Sequence, residues 1–200
     1  NKFIMTDNEY DIVKEYIEKK YPKSEELKKI GAPVEKNKVS LPYFMPSMDK
    51  IKPSTNAIAK WNEKYKGPYV LSAKLDGISA LYSTENNESK LFTRGDGKVG
   101  QDISYMIPYL KLPSYNDPIT IRGELIMQKK EFEEKYSNKF ANARNLVSGI
   151  VGSKKIDEEN YKSIDFVAYE VLAPELKPSD QMTFLKKLDV NVVINKNENK

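Results

Sequence analysis

After Gly67-Pro68 the chain is cut into short strand-like runs separated by turn chemistry, and this limits the fold more than any other feature. Strands are expected over Tyr69–Lys74, Ile78–Ser83 and Lys90–Thr93, with Glu85-Asn86-Asn87-Glu88 as the polar turn between the last two. Ile119–Met127 reads as a further strand, apolar at Ile119, Ile121 and Leu125, and Asp165–Val171 as another. Helices fall before and between these groups. One is expected over Asp7–Lys20, where Tyr10, Val13, Ile17 and Tyr21 recur near helical spacing and Thr6 with Glu9 forms a capping box. Others are expected over Thr55–Tyr65, Lys129–Tyr136, Ala143–Val151 and Ser179–Leu188. Hairpin-joined strands with helices inserted between groups argue for an α+β fold with mainly antiparallel sheets and flanking helices, preceded by a small helical segment. The expected organisation is a helical segment over 1–31, a Pro-punctuated extended connector over 32–54 and a main domain over 55–200. The Lys/Asn-rich end after Ile194 is expected to fray or to continue into further chain, and Asn1 in place of methionine suggests an internal piece.

Composition removes several classes of chemistry. Cysteine and histidine are both absent, which excludes disulfides, zinc clusters, thiolate nucleophiles and imidazole bases within these 200 residues. No apolar run approaches the ~20 residues that span a bilayer, so no membrane partner is expected. A hydrophobic fraction of 39% can bury a real core, and a net charge of +4 mildly favours a polyanionic partner. Catalysis must therefore use lysine, carboxylates, tyrosine or a carboxylate-held metal. Arginine is scarce: all three arginines sit in Gly- or Asn-marked clusters, at Arg94, Arg122 and Arg144. A fixed charged fork at such places suits phosphate or ribose recognition.

Lys74-Leu75-Asp76-Gly77 places a lysine at the end of a strand and before a turn. Alternation from Val70 puts Ser72 and Lys74 on one side, which would aim the amine into a cleft where burial or positive neighbours lower its pKa and make it nucleophilic. The plain alternative is a surface lysine beside a hairpin. Arg94 with Gly95, Gly97 and Gly100 could grip ribose or phosphate oxygens, or be simple hairpin chemistry. Glu124 stands mid-strand between Gly123 and Leu125, where a charge needs a partner. That partner is either Arg122, on the same face by alternation, or a ligand such as a ribose hydroxyl or Mg²⁺.

The order of these motifs resembles a known family. Lys74-Leu75-Asp76-Gly77, Thr93-Arg94-Gly95-Asp96-Gly97 with Gly100-Gln101-Asp102-Ile103, Arg122-Gly123-Glu124, Phe140-Ala141-Asn142-Ala143-Arg144-Asn145 and Phe166-Val167-Ala168-Tyr169 together resemble the adenylation domain of NAD⁺-dependent DNA ligases, over about residues 4 to 194. The resemblance implies a nucleotidyltransferase core. Lys74 would be the nucleophile that takes AMP from NAD⁺, with Mg²⁺ as a further cofactor and nicked double-stranded DNA as the partner. Asp76 would sit beside the nucleophile, Arg94 and Glu124 would bind the ribose, Tyr169 would stack on adenine, and Arg144 would lie near phosphates or DNA. Ser47-Met48 matches a pair that touches the nucleotide. Asp7, Tyr10 and Asp11, on one face of the first helix, match the residues that contact the nicotinamide mononucleotide half, although two acids at a helix N-terminus with a core tyrosine would look the same. No residue is assigned as a metal ligand. The resemblance further implies a monomer in a bacterial or viral cytoplasmic setting, at a nucleoid or replication site, serving replication or repair of damaged DNA.

Departures from the pattern are specific. Ser72 stands where the family has a glutamate that reads the adenine amino group, and Gly152 where a second arginine is expected. The later lysine motifs that grip the α-phosphate, a Tyr-His pair before Asp7, and the oligonucleotide-binding, zinc and helix-hairpin-helix modules are not in this stretch, so the piece alone is expected to turn over little. Two other classes fit parts of the sequence. One is an ATP- or GTP-using relative, such as an RNA ligase or capping enzyme, which shares the K-x-D-G core; the other is a non-catalytic nucleic-acid-binding fragment.

Overall fold

The computed structural model describes residues 7–24, 37–48, 50–51, 56–114, 117–153 and 158–198, with only the backbone of Asp7, Asn8, Tyr10 and Asp11. The Thr6 cap, Asp49 and parts of the connector lie outside the described residues. The first helix, α1, spans Asp7–Lys20 as its periodicity predicts, and α2 spans Ala57–Lys64. Among the described residues no helix is long and apolar enough to cross a membrane.

Five strands make the central sheet: β3 (Ile78–Ser83), β4 (Lys90–Thr93), β6 (Thr120–Ile126), β7 (Asp165–Ala173) and β8 (Asn191–Val192), in the order β4-β3-β6-β7-β8. All pairs are antiparallel except β7 with β8. One face of this sheet carries the main core. Ala80, Tyr82, Ile121, Leu125, Phe166, Ala168 and Val171 point to it, and it is covered by α4 (Ala143–Gly152) through Leu146, Val147, Ile150 and Val151 and by α6 (Pro178–Lys187) through Met182 and Leu185. Each such side chain buried contributes about 1.5–3 kcal/mol. Alternation sends Leu81 and Phe92 to the opposite face, where they meet Met45, with Val39, Leu41, Tyr43 and Leu172 packed around them.

This second core corrects the expectation of a surface connector. Residues 38–46 are fastened to the sheet: β1 (Lys38–Ser40) pairs with β5 (Val99–Gln101), Leu41 N donates to Lys98 O at 2.8 Å, and Met45 N to Gly97 O at 2.9 Å. Tyr43 Oη donates to Glu85 Oε1 at 2.9 Å, and Thr120 Oγ1 donates to the other oxygen of that carboxylate at 3.1 Å. Burial, reinforced by the Glu85 charge, raises the Tyr43 pKa and keeps its proton in this bond.

Two other expectations change. The strand begun at Tyr69 stops at Ser72 (β2, Tyr69–Ser72), so Lys74 lies in the following link rather than on the strand. Asn195–Glu198 are ordered as β9, which pairs antiparallel with β2, Ser72 opposite Asn195. Remaining pieces are 3-10 turns at Glu85–Asn87 and Ser104–Tyr109 and the short helices α3 (Lys129–Lys135) and α5 (Glu158–Lys162).

Glycines separate tight from open positions. A Cβ on Gly123 of β6 would stand 2.5 Å from Phe166 Cζ and 2.8 Å from Val167 O, whereas a Cβ on Gly149 of α4 meets nothing within 4 Å. Gly123→Ala is predicted to destabilise by roughly 1–3 kcal/mol through overpacking, and Gly149→Ala to stabilise by about 0.5–1 kcal/mol through helix propensity. Thermal unfolding of the two variants checks this; a Gly123→Ala midpoint at or above wild type contradicts the packing described.

Candidate functional site

The K-L-D-G segment is set in place from both ends. Upstream, Ala73 N donates to Ile194 O at 3.0 Å. Downstream, a Cβ on Gly77 would lie 2.1 Å from Leu125 O and 3.0 Å from Glu124 Cγ, so only glycine lets the chain pass this close to β6. The β3–β6 register then puts Ser79 directly opposite Glu124. Lys74, Asp76 and Glu124 are therefore neighbours because of a backbone approach that no side-chain contact supplies.

Glu124 is the electrostatic centre of the site. It is buried, at 8% exposure, and Ser79 Oγ donates to its Oε2 at 2.9 Å. Burial pushes its pKa up; the Ser79 hydrogen bond, the positive charges of Lys74 and Arg144, and the Gly77 amide act against that rise. Arg144 is presented by the start of α4, where Asn142 caps the helix by accepting the Asn145 amide at 2.8 Å. From there Arg144 Nη1 reaches Asp76 Oδ1 at 3.1 Å, an exposed pair that adds geometry more than stability.

Tyr169 joins them through an irregularity. β6 and β7 lose register between Arg122 and Gly123, with Arg122 opposite Glu170 and Gly123 opposite Ala168, so Tyr169 is the extra, bulged residue. The bulge places Tyr169 and Glu170 in succession on the face away from the main core. Burial raises the Tyr169 pKa, which the Arg122 charge and the Ser79 hydroxyl beside it oppose.

Arg94 stands at the base of the glycine turn. Gly95 and Gly97 take positive φ values of 54° and 96°, and Asp96 Oδ1 accepts the Lys98 and Val99 amides at 2.8 and 2.7 Å, so the acid and glycines of this motif serve the turn. Arg94 itself is half-buried: its amide donates to Ser79 O at 2.9 Å and its Nη1 donates to Ser47 Oγ at 3.5 Å. Ser47 and Met48 thus end the fastened part of the connector beside Arg94, with Met48 exposed.

The structure therefore gathers Lys74, Asp76, Arg94, Glu124, Arg144, Tyr169 and Ser47 around the β3–β6 end of the sheet. It departs from the cleft expectation at Lys74, and at Glu124 it removes one of the two partners the sequence left open. Lys74 is exposed rather than buried in a cleft. Arg122 does not pair with Glu124; its Nη1 donates to Glu170 Oε2 at 2.8 Å, because the bulge brings Glu170 opposite it. The side chains of Asp7, Tyr10 and Asp11 lie outside the described residues. Gly152, at the end of α4, has open space around its Cα, and Ser72 is exposed. Ser79 and Glu170 were not predicted from sequence. Ser79 had a signal, being a hydroxyl at the strand position of the Leu81–Ser83 parity, facing the Glu124 row; Glu170 had none, because it reaches that face only through the bulge. Among the described residues no group of three or more acidic side chains could hold a metal ion.

Comparison with known proteins agrees with this geometry. Residues 43–199 match the family model described as NAD-dependent DNA ligase adenylation domain. A DNA ligase of Acanthamoeba polyphaga mimivirus is 45% identical over 197 residues, covering 95% of this chain and 31% of that protein. DNA ligases of Malacoplasma penetrans and Petrotoga mobilis are 31% and 32% identical, each covering 94% of this chain and 31% and 33% of their own lengths. The chain thus spans about a third of the curated relatives it matches. By the extent of that match, and by the serial placement of its motifs at one end of one sheet, the chain belongs to the NAD-dependent DNA ligase adenylation domain family.

Proposed function

We propose that the intact protein is an NAD⁺-dependent DNA ligase and that this chain forms its covalent lysyl-AMP. The observation that carries the reading is the buried Glu124 carboxylate with Lys74 and Arg144 acting on it across the Gly77 turn. A carboxylate buried to 8% exposure, met by one hydroxyl and by the charges of Lys74 and Arg144, is costly to keep without a polar ligand to bind. In this reading Glu124 and Arg94 hold the ribose, Tyr169 lies against adenine, and Ser47 and Met48 touch the nucleotide from the connector. Lys74 Nζ, having lost a proton, attacks the α-phosphate of the adenylyl half; the P–N bond forms as the P–O bond to nicotinamide mononucleotide breaks. Asp76 and Arg144 hold the nucleophile loop and the phosphate side. The AMP then passes to the 5′-phosphate of a nick in double-stranded DNA, and the 3′-hydroxyl displaces it. Such transfers depend on positioning and charge neutralisation. Mg²⁺ would supply such neutralisation when bound.

The remaining assignments belong to the same reading. Residues 1–31 hold the nicotinamide mononucleotide half through Asp7, Tyr10 and Asp11, 32–54 connect, and 55–200 adenylate. The protein acts as a monomer on replication or repair nicks in a bacterial or viral cytoplasmic setting, without a membrane partner.

Three experiments test it. Incubating the intact protein with adenine-labelled NAD⁺ is expected to give an acid-labile label on Lys74, lost in both Lys74→Ala and Lys74→Arg because a guanidinium stays protonated; no label in wild type sinks the proposal, and label from ATP but not NAD⁺ moves it to the ATP-using class. Asp11→Ala is expected to impair labelling from NAD⁺ while sparing the sealing of pre-adenylated nicks, and equal loss of both refutes its cofactor role. The third concerns pH. Since burial holds the Glu124 pKa above its usual value, the carboxylate, and with it labelling, is lost as pH falls through that raised value. Ser79→Ala removes one lowering contact and is expected to move the acid limb to higher pH. The shift should vanish in a Glu124→Gln background; a shift that persists there assigns the limb to another group.

A further inference from the structure

Of the charged side chains on the site face of the central sheet, Arg122 is left without a role by the mechanism above. Its side chain is 10% exposed, and it reaches in two directions. Nη1 donates to Glu170 Oε2 at 2.8 Å, and Nη2 donates to the carbonyl oxygen of Pro46 at 3.3 Å, 76 residues away in sequence. The guanidinium carbon lies 5.9 Å from the centroid of the Tyr169 ring. Its Nε is buried without a hydrogen-bond partner. One side chain thus touches the connector immediately before Ser47 and the ring assigned to adenine.

The energetics argue against a merely stabilising pair. A buried Arg–Glu pair is often no better for stability than apolar side chains of similar size, and here an orphaned Nε–H adds a further penalty. The upstream connector is already fastened through Leu41, Tyr43 and Met45. The Pro46 bond acts on the backbone next to Ser47, and Ser47 in turn accepts from Arg94. A lysine in this place could meet Glu170 but lacks the planar fork needed to meet Pro46 at the same time.

We propose that Arg122 is a positioning residue that sets the Ser47-Met48 segment at a fixed distance from Tyr169 and so adjusts the nucleotide-binding face to its ligand. This deepens the ligase reading and rests on it. Arg122 touches none of the reacting atoms in that reading, so its loss acts on nucleotide capture and spares the chemical step.

The test uses the intact protein with labelled NAD⁺, in two variants: Arg122→Lys, and the uncharged pair Arg122→Met with Glu170→Gln, which removes both charges together and leaves no buried ion unpaired. Both are expected to raise the NAD⁺ concentration for half-maximal labelling by about tenfold or more. The labelling rate constant at saturating NAD⁺ is expected to stay within about twofold of wild type. The double variant is expected to unfold at or above the wild-type temperature while keeping the weakened half-saturation, which a structural role would not allow. An unchanged half-saturation value in Arg122→Lys overturns the proposal. So does a double variant that regains wild-type half-saturation, or a fall in saturated rate that tracks lost thermal stability. Absence of label in the unaltered protein defeats the ligase reading itself, an outcome distinct from label that forms normally in the Arg122 variants.

Discussion

The approach of Gly77 to the backbone of Leu125 decides where every residue of the site can be. With a hydrogen in place of a Cβ, the link after Lys74 passes within a distance that any side chain would forbid. β3 then starts in register with the end of β6, Ser79 falls opposite Glu124, and Arg94, bonded through its amide to Ser79 O, follows on the next strand. The Lys74 loop, the buried acid and the arginine of the glycine turn are three consequences of one backbone contact. Their relative positions are as rigid as the sheet that carries them.

The sheet also explains how a row of charge survives inside the fold. Thr120, Arg122 and Glu124 alternate with Ile121, Gly123 and Leu125, so one face of β6 is core and the other polar. Water cannot solvate that polar face, because the connector lies over part of it and packs Met45 against Leu81 and Phe92. Except for the Arg122 Nε, its polar groups are answered locally instead: Ser79 for Glu124, Glu170 and the Pro46 carbonyl for Arg122, and the Glu85 carboxylate for the hydroxyls of Thr120 and Tyr43. The connector is therefore a structural lid over a polar seam, and its last fastened residues open directly onto the site.

What could be read from the sequence follows the physics of each element. α1, β3 and β4 carry enough periodic residues to fix their bounds, and Asp7–Lys20, Ile78–Ser83 and Lys90–Thr93 agree between expectation and structure. β1, β5, β8 and β9 are two to four residues long and pair with partners distant in sequence, so neither hydrophobic alternation nor a neighbouring turn announces them. The Asn195–Glu198 strand is wholly polar, and its pairing with β2 comes from backbone hydrogen bonds that have no side-chain signature. Motif order pointed to residues that the sheet brings to one end. It gave the pairings less well. Period-two reasoning left Arg122 as one of two partners open to Glu124, and a bulge on the neighbouring strand, invisible in a single chain, gives Arg122 to Glu170.

The contrast between Glu124 and Lys74 is the remaining physical point. Glu124 is buried and held by a hydroxyl at 2.9 Å, whereas Lys74 is open to solvent on a link clamped at Ala73 and Gly77. A group that binds gains from being fixed, because the entropy of ordering it is spent during folding and not again on capture. A side chain that must reach more than one position has the opposite requirement: its root must be fixed while its tip can move. The Gly77 contact and the Ala73 bond fix the root of Lys74 on either side, and the lack of burial leaves four side-chain carbons free to swing. Burial at Glu124 and exposure at Lys74 are then two halves of one arrangement, a fixed acid beside a tethered arm.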